Sequence, residues 1–528
     1  MTTLEREVAR RRTFAIISHP DAGKTTLPET LLLYGGAIHL AGSVKARRAA
    51  RHATSDWMQM EQERGISVTS SVLQFEYGGC QLNLLDTPGH ADFSEDTYRT
   101  LIAADSAVML LDNRRGVEER TRQLFEVCHR RRTPIFTFVN KCDRPGEDPF
   151  QLLDDVERDL GLRCYPVTWP ISAGGRFIGV YDREHRRIHL FERGVDHGST
   201  RAAERLASLD DADVAELLGG EAHEQLLEDI ELLDAAGTEF SRAEFLAGEV
   251  SPTFFGSALT NFGVEPFLDS FLPLAPPPVP RETSGGRVVE PTDPAFTGFV
   301  FKVQANMDPK HRDRLAFVRV CSGHFEAGMQ ATLTRTGKTV RLAAPTQFLA
   351  RDRTLVEEAW PGDVIGIHDR GTFRIGDSLS ADGELDFGDI PRFSPEHFAR
   401  IQISDPLRRK QLDNGLKQLS EEGAAQVFYT EIGSAAPIVG AVGQLQFDVL
   451  LHRLEHEYGV AARLEAMSYR AARWVTGPRP AIQALTGGHG RALVTDSRGR
   501  PVILFDSEWT LKSTVEREEE VEFHDVAP

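Results

Sequence analysis

The run Ser18-His19-Pro20-Asp21-Ala22-Gly23-Lys24-Thr25 sets a lysine and a hydroxyl at the end of a short loop, directly after the apolar stretch Phe14-Ala15-Ile16-Ile17. Apart from Ser18, which stands where the pattern begins with glycine, this is the spacing of a phosphate-binding loop. In such a loop successive backbone N–H groups and a helix N-terminus face an anion. Lys24 adds a charge on β- and γ-phosphates and the Thr25 hydroxyl offers a ligand to Mg²⁺, so the candidate loop runs from Ser18 to Thr26.

Three further motifs each follow an apolar run. Asp86-Thr87-Pro88-Gly89-His90 comes after Leu82 to Leu85. A carboxylate there can hold Mg²⁺ through water, and the Gly89 N–H can reach a γ-phosphate. Asn140-Lys141-Cys142-Asp143 ends the run Ile135 to Val139. The Asp143 carboxylate can accept from guanine N1–H and its exocyclic amine together, a pair that adenine cannot supply. Leaving such a group unpaired costs discrimination on the order of 10⁴-fold. Gly256-Ser257-Ala258-Leu259, after Thr253 to Phe255, can give a backbone N–H to guanine O6. Four motifs in this order describe a GTP/GDP site with Mg²⁺, and Asn140 and Asp143 disfavour an ATPase or small-molecule kinase.

These loops need strands to hold them. From Thr13 to about Leu272 short, nearly continuous apolar runs alternate with helical patterns, as in a doubly wound α/β domain whose mostly parallel sheet is buried on both faces. Pro28 is tolerable within the first turn of the following helix and would kink it further in. Residues 201 to 250 carry many carboxylates on helical spacing and read as a solvated insertion, at about 160–250, in a nucleotide domain spanning 1–280. Pro273 to Pro280 cannot continue a helix and reads as a stiff linker. Phe299 to Val303, Leu315 to Val320 and the turns at Trp360-Pro361-Gly362-Asp363 and Arg374-Ile375-Gly376-Asp377 predict an antiparallel β-barrel within 281–393.

In 394–528 the pattern changes again. Ala399 to Ile403 is strand-like, and Asp405-Pro406 is an N-cap with a first-turn proline. Leu412, Leu416 and Leu419 form a helical stripe ending at Gly423. Strands at Gln426 to Thr430 and Ile438 to Val442 and a helix from Gln444 to Tyr458, capped by Gly459, give the order of a split βαβ (ferredoxin-like) α+β domain. The last 60 residues are less readable.

Composition bounds the partners. With 528 residues the chain exceeds one core. Its 60 Lys+Arg against 79 Asp+Glu give a net charge of −19, which excludes gripping nucleic acid by bulk charge and leaves only local basic patches for RNA. Phe14 to Ile17 is too short for a signal-peptide core, and no apolar run reaches the roughly 18 residues that span a bilayer. Five scattered cysteines without a C-x-x-C pair argue against a disulfide framework or zinc site and fit a reducing compartment. A cytoplasmic monomer with no membrane and no DNA partner is expected.

SHPDAGKT, DTPGH, NKCD and GSAL resemble the loops of the translational GTPases, the elongation factor G/elongation factor Tu superfamily. Within it the chain is most similar to the bacterial peptide chain release factor 3 family, through DWMQMEQERGIS, DFSEDTYRTL, FTGFVFKVQANMDPKHRDR, QLSEEGAAQVF and VGAVGQLQFDVL. The resemblance implies a ribosome-stimulated GTPase that binds the ribosome after peptide release, promotes departure of the codon-reading release factor and leaves after hydrolysis. Its implied partners are ribosomal RNA and proteins and the codon-reading release factors.

By the same resemblance Gln62-Glu63-Arg64-Gly65-Ile66-Ser67 is a first switch, with the Ser67 hydroxyl, where most members have threonine, completing the Mg²⁺ shell. His90 positions or polarises the attacking water, Asp21 holds a cation or the switch against the phosphates, and Pro20 and Ile66 flank the path to the γ-phosphate. No covalent residue is needed, since phosphoryl transfer demands positioning and charge neutralisation. Lys45-Ala46-Arg47-Arg48, in this switch, and Lys310-His311-Arg312, in the barrel, are candidates for ribosomal RNA phosphates. His129 to Arg132 ends a predicted helix, where the dipole favours cations. Two alternatives stand beside this reading. One is an elongation-factor-G-like or ribosome-protection GTPase, weakened because the chain stops after the third region. The other is a GTP-dependent binding module with little hydrolysis, kept open by Pro28 and Ser67.

Overall fold

The computed structural model describes residues 1–37, 70–192, 201–209, 211, 213–236, 239–305, 314–343, 345–349, 352–388, 390, 392–430, 436–487 and 489–525. Ser67, Ile66 and the rest of the expected first switch, and both candidate RNA-facing clusters, Lys45 to Arg48 and Lys310 to Arg312, lie outside the described residues.

The apolar runs fold into β1 (Arg11–Ser18), β2 (Ser71–Tyr77), β3 (Cys80–Asp86), β4 (Ser106–Asp112), β5 (Ile135–Asn140) and β6 (Arg163–Pro166). After an insertion containing β7 (Thr168–Ala173), β8 (Arg176–Asp182), β9 (Arg187–Glu192) and β10 (Ala203–Ser208), β11 (Val250–Phe255) returns to the same sheet. The order is β2-β3-β1-β4-β5-β11-β6, parallel throughout except for the β2–β3 hairpin at one edge. β4, β5 and β11 are buried along their whole length, which is why their sequences run apolar without alternation. All four nucleotide motifs begin at the carboxyl ends of these parallel strands, the edge at which open α/β sheets bind ligands.

The helical expectation for 201–250 holds from Val214 to Leu246 and fails at its start, and the insertion before it is a sheet. β7 to β10 form a separate four-stranded antiparallel sheet, and Ala203–Ser208 is a strand; Val214–Leu218, Gly220–Ala235 and Arg242–Leu246 are helices. The polar, half-exposed faces of these strands hid their period-two alternation. The expected linker also begins later. The helix Val264–Leu274 carries Pro273 in its last turn, so the extended chain starts at Ala275. Pro28 is the third residue of the helix Thr26–Tyr34, where its missing N–H is one of the four that lack an intrahelical partner.

An all-antiparallel β-barrel domain follows, built from eight strands between Thr297 and Ser380 with Thr297–Ala305 and Arg314–Ser322 at its centre. In the third, α+β region the first four strands lie in the order Ala462–Ala466, His397–Ile403, Ile438–Ala441, Gln426–Thr430, with helices Arg409–Glu421 and Gln444–Tyr458 between them, a split βαβ unit. Leu412, Leu416 and Leu419 are at most 1% exposed beneath it. Asp405 caps a short 3₁₀ turn, Pro406–Arg408, that leads into the first of these helices. The chain beyond Ala466 extends the same sheet by Arg491–Asp496, Pro501–Phe505, Ala471–Thr476 and Glu522–His524.

Candidate functional site

The loop from His19 to Thr25 turns between β1 and the helix Thr26–Tyr34, its bend closed by the Ala22 and Thr26 N–H groups on the His19 and Gly23 carbonyls. Asp21 takes φ +67° and Gly23 φ +106°. A non-glycine residue at positive φ is uncommon and costs energy that the surroundings must supply. At Gly23 a side chain is excluded twice, because a Cβ would stand 2.1 Å from the Asn140 amide nitrogen.

Asn140 explains that closeness. Its amide nitrogen donates to the Ala22 carbonyl at 2.8 Å and its oxygen accepts the Ala258 N–H at 2.9 Å. One 2% exposed side chain therefore ties the phosphate loop to the Gly256–Leu259 loop. Lys141, at φ +69°, lays its ammonium between the Asp21 carbonyl (2.5 Å) and the Asp112 carboxylate (2.6 Å). The Ser257 hydroxyl donates to Asp143 at 2.6 Å, fixing the orientation of the carboxylate proposed to read guanine. The Ala258 carbonyl in turn accepts from the Thr30 hydroxyl, also 3.1 Å from Asn261. The Gly256–Leu259 loop is thus held from both sides, by Asn140 and by Thr30.

At the phosphate end, Lys24 and Asp86, 6% and 1% exposed at the side chain, form an ion pair at 3.2 Å. A Cβ on Gly89 would lie in ordinary contact with Pro20 and Lys24, so the DTPGH turn sits against the phosphate loop. Thr87 anchors that turn by donating to the Ile16 carbonyl at 2.7 Å. The Thr25 hydroxyl does not cap the helix it begins. Ser18 is fully buried, and His19 pairs its Nε2 with Glu118 at 3.3 Å. Pro88 and Thr26 complete the two turns, and Leu259 follows Ala258 in the third. His90 does not close over these loops; its imidazole is 43% exposed, with Nδ1 3.1 Å from an Asp92 carboxylate oxygen.

Two residues of this arrangement escaped sequence reasoning. Asp112 ends β4, directly after an apolar run like those preceding the four motifs, and that position was its signal. Burial pushes its carboxyl up, but the Lys141 hydrogen bond, the Arg114 N–H and the charges of Lys141 and Arg115 outweigh it and hold the group below the usual carboxylate range. Asp92 is the other, and its partner lies far along the chain. In the Asn140–Asp143 motif, burial pushes the Cys142 thiol up to about 12.

Among proteins of known family, residues 9–277 match the model described as "Elongation factor Tu GTP binding domain", residues 295–382 "Elongation factor G domain 2", and residues 387–515 "Class II release factor RF3, C-terminal domain". A protein of Symbiobacterium thermophilum named peptide chain release factor 3 is 56% identical over 518 residues, 98% of each chain. One of the same name from Gloeothece citriformis is 55% identical over 526 residues, 99% of this chain and 97% of its own. A crystal structure of a Thermus thermophilus protein shares the fold, with a TM-score of 0.71 at 24% identity over 92% of this chain and 72% of that one. The alternatives of an elongation-factor-G-like factor and a passive binding module are not favoured by these relatives.

Proposed function

The chain belongs to the peptide chain release factor 3 family, GTPases of translation termination, and from that premise we propose that the ribosome activates it to hydrolyse GTP to GDP and phosphate. In doing so it promotes dissociation and recycling of codon-reading release factors after peptide release. The observation that carries the nucleotide part is the pre-tied site. Asn140 joins the phosphate loop to the Gly256–Leu259 loop, and Ser257 aims the Asp143 carboxylate. Such preorganisation lowers the ordering cost of binding.

In this reading Ser18 to Thr26 cradle the phosphates. Asp86, Thr87, Pro88, Gly89 and His90 sense the γ-phosphate, and Asn140, Lys141, Asp143, Ser257, Ala258 and Leu259 hold the base. Lys24 exchanges its Asp86 partner for phosphate oxygens. Mg²⁺ fits the donor set: the Thr25 hydroxyl, the Asp86 carboxylate through water and the Ser67 hydroxyl are the hard oxygens that this ion takes. When bound, the ion neutralises charge between the β- and γ-phosphates. Asp21 steadies the closed loop and His90 orients the attacking water once the ribosome places it. The reading includes a cytoplasmic, monomeric protein and domain boundaries near residues 280 and 393; among the described residues no helix is long and apolar enough to cross a membrane.

The test is multiple-turnover GTP hydrolysis with and without ribosomes carrying a bound release factor. Stimulation is expected, with loss of about 10²-fold or more in His90→Ala. Absence of stimulation, or full stimulation in His90→Ala, would contradict it. Competition against labelled GDP checks the base: displacement by ATP as effective as by GTP would overturn the guanine assignment.

A further inference from the structure

The helix Ser94–Ala103, which follows the turn carrying His90, packs against the nucleotide sheet and the barrel strand Thr297–Ala305 and reaches the α+β region. Asp96 accepts the Ser70 N–H at 2.8 Å, and Ser70 in turn takes the Lys302 ammonium of the barrel on its carbonyl. Arg99 donates to the Glu422 carbonyl of the α+β region at 3.1 Å.

One contact at the head of this helix reaches His90 itself. Asp92 faces two partners: its backbone N–H donates to His90 Nδ1 at 3.2 Å, with one carboxylate oxygen 3.1 Å from the same nitrogen, and the other carboxylate oxygen accepts the Leu445 N–H at 2.7 Å. Leu445 is the second residue of the helix Gln444–Tyr458, so Asp92 satisfies one of the N–H groups that the first turn leaves without an intrahelical partner. The helix dipole adds to that attraction. Gly443, just before it, makes the approach possible. A Cβ there would stand 2.0 Å from the Asp92 carboxyl carbon, although the backbone (φ −141°) would accept any residue. Phe93 and Val449 pack beside the contact, with Leu445 against them. His90 and Asp92 open together on a cavity of about 620 Å³ whose remaining walls all belong to the α+β region, including His397, Leu445 and Tyr469; no residue of the phosphate loop lines it.

We propose that Asp92 is a positioning residue that tethers His90 in a resting pose on the α+β side of the cleft. Its carboxylate is seated on the start of the helix Gln444–Tyr458, so the docking of that region sets how readily His90 turns toward the nucleotide. The inference rests on the role for His90 proposed above. Activation by a partner that shifts the α+β region then frees the imidazole to be placed by the ribosome.

Two full-length variants test it. Gly443→Ala pushes Asp92 off its seat from the far side of the interface, and Asp92→Asn weakens the carboxylate's bond to the Leu445 N–H at constant volume. In each, ribosome-free kcat for GTP is expected to rise roughly tenfold, the size of one charge-assisted hydrogen bond, at unchanged KM. Adding His90→Ala to Gly443→Ala should abolish the rise. Equal or lower basal turnover in both variants at unaltered GDP affinity, or a rise that persists without His90, would overturn the tether. A different result separates the two proposals: if wild-type turnover ignores ribosomes and His90→Ala is silent there, the proposed function fails and the tether falls with it. If stimulation and its loss hold while the basal rates do not move, the tether alone fails.

Discussion

In the proposed base site, the orientation of Asp143 rests on one short hydrogen bond from Ser257, of 2.6 Å. Removing the carboxylate in Asp143→Ala should lower GDP affinity on the order of 10³-fold or more while leaving the melting temperature close to wild type, since its work is on the ligand. Ser257→Ala should cost a smaller step, about 1–2 kcal/mol of binding, because the carboxylate remains but loses its orientation. Isothermal titration with GDP separates the two. Asp112 has a different signature. Its carboxyl is depressed in the folded chain, burial notwithstanding, by Lys141, the Arg114 N–H and Arg115. A depressed group stabilises fully above its unfolded value, about 3.9, and that contribution disappears as pH falls through the folded value. Denaturant melts of wild type and Asp112→Asn should therefore differ at neutral pH and converge as pH drops below about 4.

At the scale of elements, the phosphate loop is a strand–turn–helix unit whose turn only a glycine can close. Gly23→Ala combines a strained φ of +106° with a clash into Asn140, and Asn140 also carries the Ala258 contact. Loss of GDP binding beyond detection is expected, and with it a lowered melting temperature, measured by fluorimetry with and without nucleotide. Pro28 is the counter-example. Placed three residues into its helix, it removes an N–H that had no intrahelical partner to lose. The same logic explains why the helix Gln444–Tyr458 was legible to the residue: a glycine at φ +66° ends it and an apolar stripe runs along it. The sheet of β7 to β10 was not, because antiparallel strands with one solvated face mix charged residues into the pattern.

At the scale of the whole molecule, the barrel is joined to the nucleotide domain by buried charges. Arg319, 1% exposed, donates to Asp105 and to the Thr13 hydroxyl of β1, each at 2.5 Å, and to the Gly362 carbonyl; Arg11 pairs with Asp363 at 2.8 Å nearby. Taking Arg319 away leaves the buried Asp105 carboxylate to the longer Arg281 contact, 3.7 Å, and breaking a buried pair costs about 3–5 kcal/mol. Arg319→Met should therefore destabilise the chain by that order in chemical denaturation, and split a single transition into two as the barrel uncouples. A single unshifted transition would argue against the coupling.

The chemistry of this protein was written locally. The motifs proposed to hold phosphate, γ-phosphate and guanine each occupy a few consecutive residues at the end of a buried strand, and continuous apolar runs reveal such strands without any knowledge of the partner strands. Parallel order, barrel and split βαβ unit followed from the same local periodicities. What only the tertiary structure decided is how distant residues meet. Asn140 clasps Ala22 across 118 positions, Arg319 reaches Thr13 across 306, and Asp92 caps a helix 353 residues away. A polar side chain carries no mark of its partner in its own neighbourhood, because desolvation makes the contact obligatory only once packing has brought the two together.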